Sequence, residues 1–184
     1  MVPSPVVIIL AAGRGERFLA SGATTHKLEA QLGTQSVLSH VIRAAEASGL
    51  GWYIVRPEGG TQGMGESISL GVRATPHASG WLILPADLPL IQPATLQRVA
   101  EGLSEKSLVV PYYAQQSGHP VGFSRAYQAQ LLALSGDSGA REIVRRARQR
   151  GAVLDLALAD YGMVHDIDTL SDLQWAQALI NEPN

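Results

Sequence analysis

The segment Leu10-Ala11-Ala12-Gly13-Arg14-Gly15-Glu16-Arg17-Phe18 sets small residues and two arginines directly behind the β-branched run Val6 to Leu10. Small residues let a backbone come close to an anion, and exposed N–H groups cradle its oxygens. Arg14 and Arg17 add forked donors suited to phosphate. A dinucleotide fingerprint would need glycine where Phe18 stands, and a P-loop would need a closing Gly-Lys-Ser/Thr that this loop lacks. Taken alone, the loop also reads as a tight turn with solvated arginines. Lys27, in His26-Lys27-Leu28, follows the Gly/Ser/Thr-rich stretch Ala20 to Thr25 and is near enough to reach the same phosphates. Its plain alternative is an ordinary surface lysine.

The acidic candidates are Asp87, Asp166 and Asp168. Asp87 lies just past the apolar run Trp81 to Leu84, between Pro85 and Pro89. Prolines stiffen the chain there, and fixed geometry suits a metal ligand. Magnesium takes hard oxygen donors and is satisfied by one or two carboxylates plus substrate phosphates. The competing role for Asp87 is capping the next turn. In Val164-His165-Asp166-Ile167-Asp168-Thr169, an extended backbone would put both carboxylates on one face and Ile167 on the other. Paired carboxylates repel unless a cation lies between them. Alternatively, Asp168 caps the following helix and Asp166 is solvated.

These residues need a scaffold. Val6 to Leu10 predicts a strand buried on both faces, as in a parallel sheet. Further strands are predicted at Trp52 to Val55, Trp81 to Leu84, Leu108 to Val110 and Val153 to Leu158. Helical spacing runs over Ser36 to Ser48, closed by Gly49, over Glu66 to Ala74 despite Gly71, and over Pro93 to Leu103. It returns at Ala126 to Leu134, Gly139 to Gln149 and Thr169 to Ile180, where Thr169 and Asp172 form a capping box. Strands alternating with helices imply an α/β domain with a mostly parallel sheet, one domain over residues 1–184. The phosphate loop then falls at the carboxyl edge of that sheet, where open α/β folds bind ligands.

Composition narrows the chemistry. A formal net charge of −2 leaves no global basic field for nucleic acid or an anionic membrane. The absence of cysteine excludes disulfides, thiolate nucleophiles and cysteine metal sites. Met1-Val2-Pro3-Ser4-Pro5 carries no basic leader and the apolar run after it is too short to span a bilayer, so a cytoplasmic protein is expected.

Together these motifs resemble the molybdenum cofactor cytidylyltransferases and their molybdopterin nucleotidyltransferase relatives. The resemblance rests on Leu10 to Arg17, Lys27-Leu28, Gly63-Met64-Gly65-Glu66-Ser67 and Asp87-Leu88-Pro89. Gly118-His119-Pro120-Val121-Gly122-Phe123, Gly136-Asp137-Ser138-Gly139-Ala140-Arg141 and Asp166 to Thr169 extend it, from about Val7 to Leu173. It implies a Rossmann-like nucleotidyltransferase fold, a twisted sheet with helices on both faces, and Mg²⁺-dependent transfer of CMP from CTP to the terminal phosphate of molybdopterin. By the same resemblance Leu10, Ala11, Ala12, Gly13, Gly15 and Ser67 would bind the nucleotide. Arg14, Arg17 and Lys27 would bind the triphosphate. Asp87 would be the first Mg²⁺ ligand and Asp168 the second, with Asp166 in reserve. Gly65, His119, Asp137 and Arg141 would face the pterin. The cytidylyl branch carries Ala-Ala-Gly where the guanylyl branch carries Ala-Gly-Gly, so Ala12 favours a pyrimidine. The chain departs from the pattern at His26, where Asn or Pro is usual, and at Leu19-Ala20. Transient contact with a molybdoenzyme or its chaperone is a further expectation.

Rival readings are a transferase using GTP or a sugar or polyol phosphate, and a non-catalytic nucleotide-binding accessory protein. A nicotinamide oxidoreductase would need an acidic residue closing the second strand, where Arg56 stands.

Overall fold

The computed structural model describes residues 4–181; Met1, Val2 and Pro3, named above for the N-terminus, lie outside them. The elements in chain order are β1 (Val6–Leu10), α1 (Glu16–Ala20), β2 (Gln31–Leu32), β3 (Gln35–Ser36), α2 (Val37–Ser48), β4 (Gly51–Val55) and α3 (Met64–Ala74). There follow β5 (Gly80–Pro85), α4 (Pro93–Gly102), β6 (Leu108–Tyr113), β7 (Gln116–Ser117), β8 (Val121–Ser124), α5 (Gln128–Leu132), α6 (Arg141–Gln149), β9 (Val153–Ala157) and α7 (Leu170–Asn181).

The sheet runs β4-β1-β5-β8-β6-β7, with β9 also paired to β6. β1 is parallel to β4 and β5, and β6 is parallel to β9. β8 lies antiparallel between β5 and β6. The expected mostly parallel sheet is therefore present, with β8 reversed in the middle and the two-residue β7 antiparallel to β6 at the edge. β8 is short and interrupted by Gly122, which leaves little alternating pattern to read. A Cβ on Gly122 would stand 2.9 Å from Val99 Cγ1, so the glycine lets α4 lie close on the sheet.

Side-chain alternation explains how both faces are covered. Val7 and Ile9 of β1, with Leu82 and Leu84 of β5, enter one core with α2 and α4 residues such as Val41 and Val99. Ile8, Trp81 and Ile83 point the other way, against Ile68 and Val72 of α3, Leu131 of α5 and Ala147 of α6. Gly71, out of place by propensity, lies where a Cβ would come 2.4 Å from Ile8 Cγ2. The close seat of α3 on β1 accounts for it.

Most predicted boundaries agree with the elements to within a few residues. The expected helix at Ala126 to Leu134 opens as a 3₁₀ turn over Arg125–Tyr127 before α5. Gly49 ends α2 at φ 79°, as a left-handed cap requires. The capping box also forms: Thr169 N–H donates to Asp172 Oδ2 at 2.9 Å, and Asp172 N–H to Thr169 Oγ1 at 3.3 Å. Among the described residues no helix is long and apolar enough to cross a membrane.

Candidate active site

The carboxyl ends of β1 and β5 fix the centre of the site. Leu10 pairs with Pro85 in parallel register. Ala86 N–H donates to the Leu10 carbonyl at 3.0 Å, and Ala11 N–H to the Val55 carbonyl at 3.0 Å. The glycine loop and Asp87 thus leave adjacent strands side by side. Ile167 N–H then donates to the Asp87 carbonyl at 2.8 Å. That bond brings Asp166 and Asp168 beside Asp87 from 79 to 81 residues downstream by number. Ile167 is fully buried while its acidic neighbours reach solvent, as the expected facing requires.

A cavity of about 840 Å³ opens here. One wall carries Leu10, Ala12, Gly13, Arg14, Gly15, Glu16, Arg17, Lys27 and Leu28; Pro85, Asp87 and Asp168 also line it. The other wall is Gly59 to Met64, Glu66, Ser67 and Asp137. Gly60 and Gly63 take φ values of 77° and 141°, which side-chain-bearing residues rarely adopt. A Cβ on Gly60 would sit 3.5 Å from the Ala12 carbonyl oxygen, so the walls converge on the small-residue end of the loop.

Cations and carboxylates interleave at the centre. Lys27 Nζ donates to Asp87 Oδ2 at 2.9 Å and lies 3.9 Å from Asp168 Oδ1. Arg17 Nη1 donates to Asp168 Oδ2 at 2.8 Å. The Lys27–Asp87 pair is largely shielded, its side chains 15% and 19% exposed, whereas the Arg17 side chain is 81% exposed. Solvent screens the second contact, so the first holds the geometry more firmly. Bonding to Asp168 raises the Arg17 pKa, so its charge is permanent. Partial desolvation, and next the Asp87 charge, push the Asp166 carboxyl above its ordinary value.

Carboxylates gathered around a lysine are a place where a second cation can sit. Among the described residues no group of three or more His, Cys, Asp and Glu forms a ready metal cage. Magnesium asks for less, and the hard oxygens of Asp87 and Asp168, converging on one ammonium, fit it. Asp168 does not cap α7; Asp172 and Thr169 do that, which leaves the Asp168 carboxylate to the cleft.

Of the residues singled out from sequence, Leu10, Ala12, Gly13, Arg14, Gly15, Arg17, Lys27, Ser67, Asp87, Asp137 and Asp168 line the cavity. Ala11 is buried beside it. Gly65 packs inside α3 against the Ser135–Ser138 carbonyls, where a Cβ would come 2.3 Å from Ser138 O. Arg141 is exposed at the start of α6, and Asp166 is exposed next to Ile167. None of these four lines the cavity, and neither does His119. His119 N–H donates to the Met163 carbonyl at 3.1 Å, while its Nδ1 is buried without a partner. Burial lowers its pKa, against the pull of Asp87. Sequence reading missed Gly59 to Gln62. Their only signal is a Gly-rich loop at the carboxyl end of β4, on the same sheet edge as Asp87.

A family model described as the MobA-like NTP transferase domain matches residues 7–152. The chain belongs to that family. It is similar to the crystal structure of Rv0371c from Mycobacterium tuberculosis H37Rv at 25% identity, covering 97% of this chain and 100% of that one, TM-score 0.77. A complex of the same protein with manganese matches at 24% identity over 95% and 98%, TM-score 0.74. A nucleotidyl transferase from Methanothermobacter thermautotroptrophicus (Mth528) matches at 21% identity over 96% and 97%, TM-score 0.75. Molybdopterin-guanine dinucleotide biosynthesis protein A from Archaeoglobus fulgidus matches at 14% identity over 95% and 98%, TM-score 0.61. Below 25% identity the likeness establishes the fold, a nucleotidyltransferase-like α/β fold, as expected. A curated protein of Escherichia coli strain K12, "Putative LysR family substrate binding domain-containing protein YagP", is 77% identical over 26 residues. That match spans 19% of the curated protein and 14% of this chain, too short a segment to carry an activity.

Proposed function

We propose that this NTP transferase family member transfers CMP from CTP to the terminal phosphate of molybdopterin and releases pyrophosphate. The observation that carries nucleotidyl transfer is the seat of Lys27 between Asp87 and Asp168 at the mouth of the glycine loop. Family membership supports the reaction class. Ala12, which lines the cavity and stands where the guanylyl branch carries glycine, supports a pyrimidine. One methyl discriminates by only about 1–3 kcal/mol, so the base preference is a ratio and not an exclusion. The acceptor is inferred from the resemblance of the motifs to molybdopterin nucleotidyltransferases and from the likeness to the Archaeoglobus molybdopterin-guanine dinucleotide biosynthesis protein A.

An oxygen of the acceptor phosphate attacks the α-phosphorus in line, a new P–O bond forms, and the bond to the β-phosphate oxygen breaks. The attacking phosphate is already anionic, so no general base is needed. Arg14, Arg17 and Lys27 hold the triphosphate and offset charge on the departing pyrophosphate. Lys27 has three donors and can keep Asp87 while it takes a phosphate oxygen. Asp87 and Asp168 would hold a divalent ion, which when bound neutralises phosphate charge. Until then Lys27 and Arg17 serve those carboxylates as counter-ions. Gly13 and Gly15 keep the loop open to the nucleotide.

A thermal-shift screen with CTP, GTP, UTP and ATP, with and without Mg²⁺, tests the reading. The largest stabilisation is expected with CTP and Mg²⁺ together. A larger shift with GTP would transfer the assignment to the guanylyl branch, and no shift with any nucleotide would remove it.

A further inference from the structure

We propose that His26 is a positioning residue that sets the spacing between the two halves of the phosphate grip, an inference that rests on the nucleotide reading of the cleft. Leu28 N–H donates to His26 Nδ1 at 3.1 Å. On the far side of the same ring, Nε2 lies 2.8 Å from the Gly13 carbonyl oxygen. A carbonyl oxygen only accepts, so Nε2 carries the proton, and Nδ1, which accepts, carries none. Network logic thus assigns one neutral tautomer. The ring also lies against Gly15, where a Cβ would stand 3.3 Å from Nε2.

His26 caps the 3₁₀ turn Lys27–Glu29 from which Lys27 reaches Asp87. Gly13 and Gly15 flank Arg14 on the other half of the grip. The imidazole is therefore a strut between the loop that offers Arg14 and the turn that offers Lys27. Capping alone does not need it, because a short side-chain acceptor two residues before Leu28 N–H would serve. Only a longer side chain with a donor at its far end can cap the turn and hold the Gly13 carbonyl at once. This gives a physical use to the one residue of the Lys27 segment that departs from the family's Asn or Pro.

His26→Asn separates the two roles, keeping the cap acceptor and losing the strut. Calorimetric titration of the full chain with CTP and Mg²⁺ should show its Kd raised about tenfold, the worth of one hydrogen bond. The KM for the acceptor and the melting temperature should stay at wild-type values. His26→Ala, which loses both contacts, should bind CTP at least as weakly and also melt lower. Wild-type CTP affinity in His26→Asn overturns the proposal. So does an affinity that falls only in step with melting temperature, which would assign His26 to the fold alone. Wild-type protein that binds no nucleotide at all overturns the nucleotide reading first, and the strut with it.

Discussion

The two walls of the cleft hold their shape by different means. The wall of β1, the glycine loop and Lys27 is fixed by parallel strand register, three backbone bonds at and beyond the carboxyl ends of the strands, and charged side chains paired at 2.8–2.9 Å. The facing wall, Gly59 to Met64, Glu66 and Ser67 with Asp137, is shaped by left-handed glycines and short polar links: Thr61 Oγ1 to Ser67 Oγ at 2.7 Å, Gln62 N–H to Glu66 at 2.6 Å, and Glu66 N–H to the Gly136 carbonyl at 3.1 Å. Charge placement dominates the first wall and backbone fit the second. A change on the first wall should therefore alter chemistry with little effect on stability, and a change on the second should alter shape and stability together.

Asp87→Asn should break this contrast most sharply if it is wrong. Pyrophosphate release is expected to fall by at least about 10²-fold, the scale of losing a preorganised charge contact. Its melting temperature should hold, because the carboxylate is not part of either core. Near-normal turnover would remove Asp87 from the chemistry. Lys27→Ala should raise the Kd for nucleotide by roughly ten- to a hundredfold, as for a hydrogen bond to a charged group. Titration with CTP and Mg²⁺ reads it directly, and unchanged affinity would move the grip elsewhere on the first wall.

Directly behind the second wall, Gly65→Ala forces a Cβ to within 2.3 Å of Ser138 O. A cost of about 1–3 kcal/mol is expected from overpacking, with a lower melting temperature and a raised acceptor KM. A variant as stable as wild type would show that the Gly136 to Arg141 segment yields freely. The smallest effect lies outside both walls. Arg145 holds the Glu142 carboxyl down to about 2, below its ordinary 4.5. A depressed carboxylate stabilises the fold above the ordinary value, and that contribution is lost as pH falls from about 4.5 toward 2. Glu142→Gln should flatten this part of the acid melting profile and leave CTP affinity unchanged. Because the pair is exposed, added salt should shrink the difference.

The same contrast governs what the sequence disclosed. Val6 to Leu10 and Trp81 to Leu84 are unbroken apolar runs, so the strands that carry the loop and Asp87 were legible, as was α2 from its spacing and Gly49. Lys27 and Asp87 stood out because charge and proline context are local properties. The residues alone left Asp166 and Asp168 equivalent and the resemblance ranked Asp168 first; Arg17 and Lys27 both meet Asp168 in the fold. Gly59 to Gln62 carries no charged chemistry, and its role depends on Gly60 meeting Ala12 across the fold. β8 was hidden by its brevity and by Gly122. His26 read as a departure from the family pattern. Its function needs the Gly13 carbonyl, 13 positions earlier, to be folded back onto its ring.

The central claim is nucleotidyl transfer at the Lys27–Asp87 centre. The most direct test mixes the wild-type chain with CTP, Mg²⁺ and molybdopterin and follows CMP transfer and pyrophosphate together. The account predicts equal amounts of CMP-linked acceptor and pyrophosphate, both requiring acceptor and metal. Bound CTP with no pyrophosphate in the presence of acceptor, or pyrophosphate without CMP transfer, would contradict it.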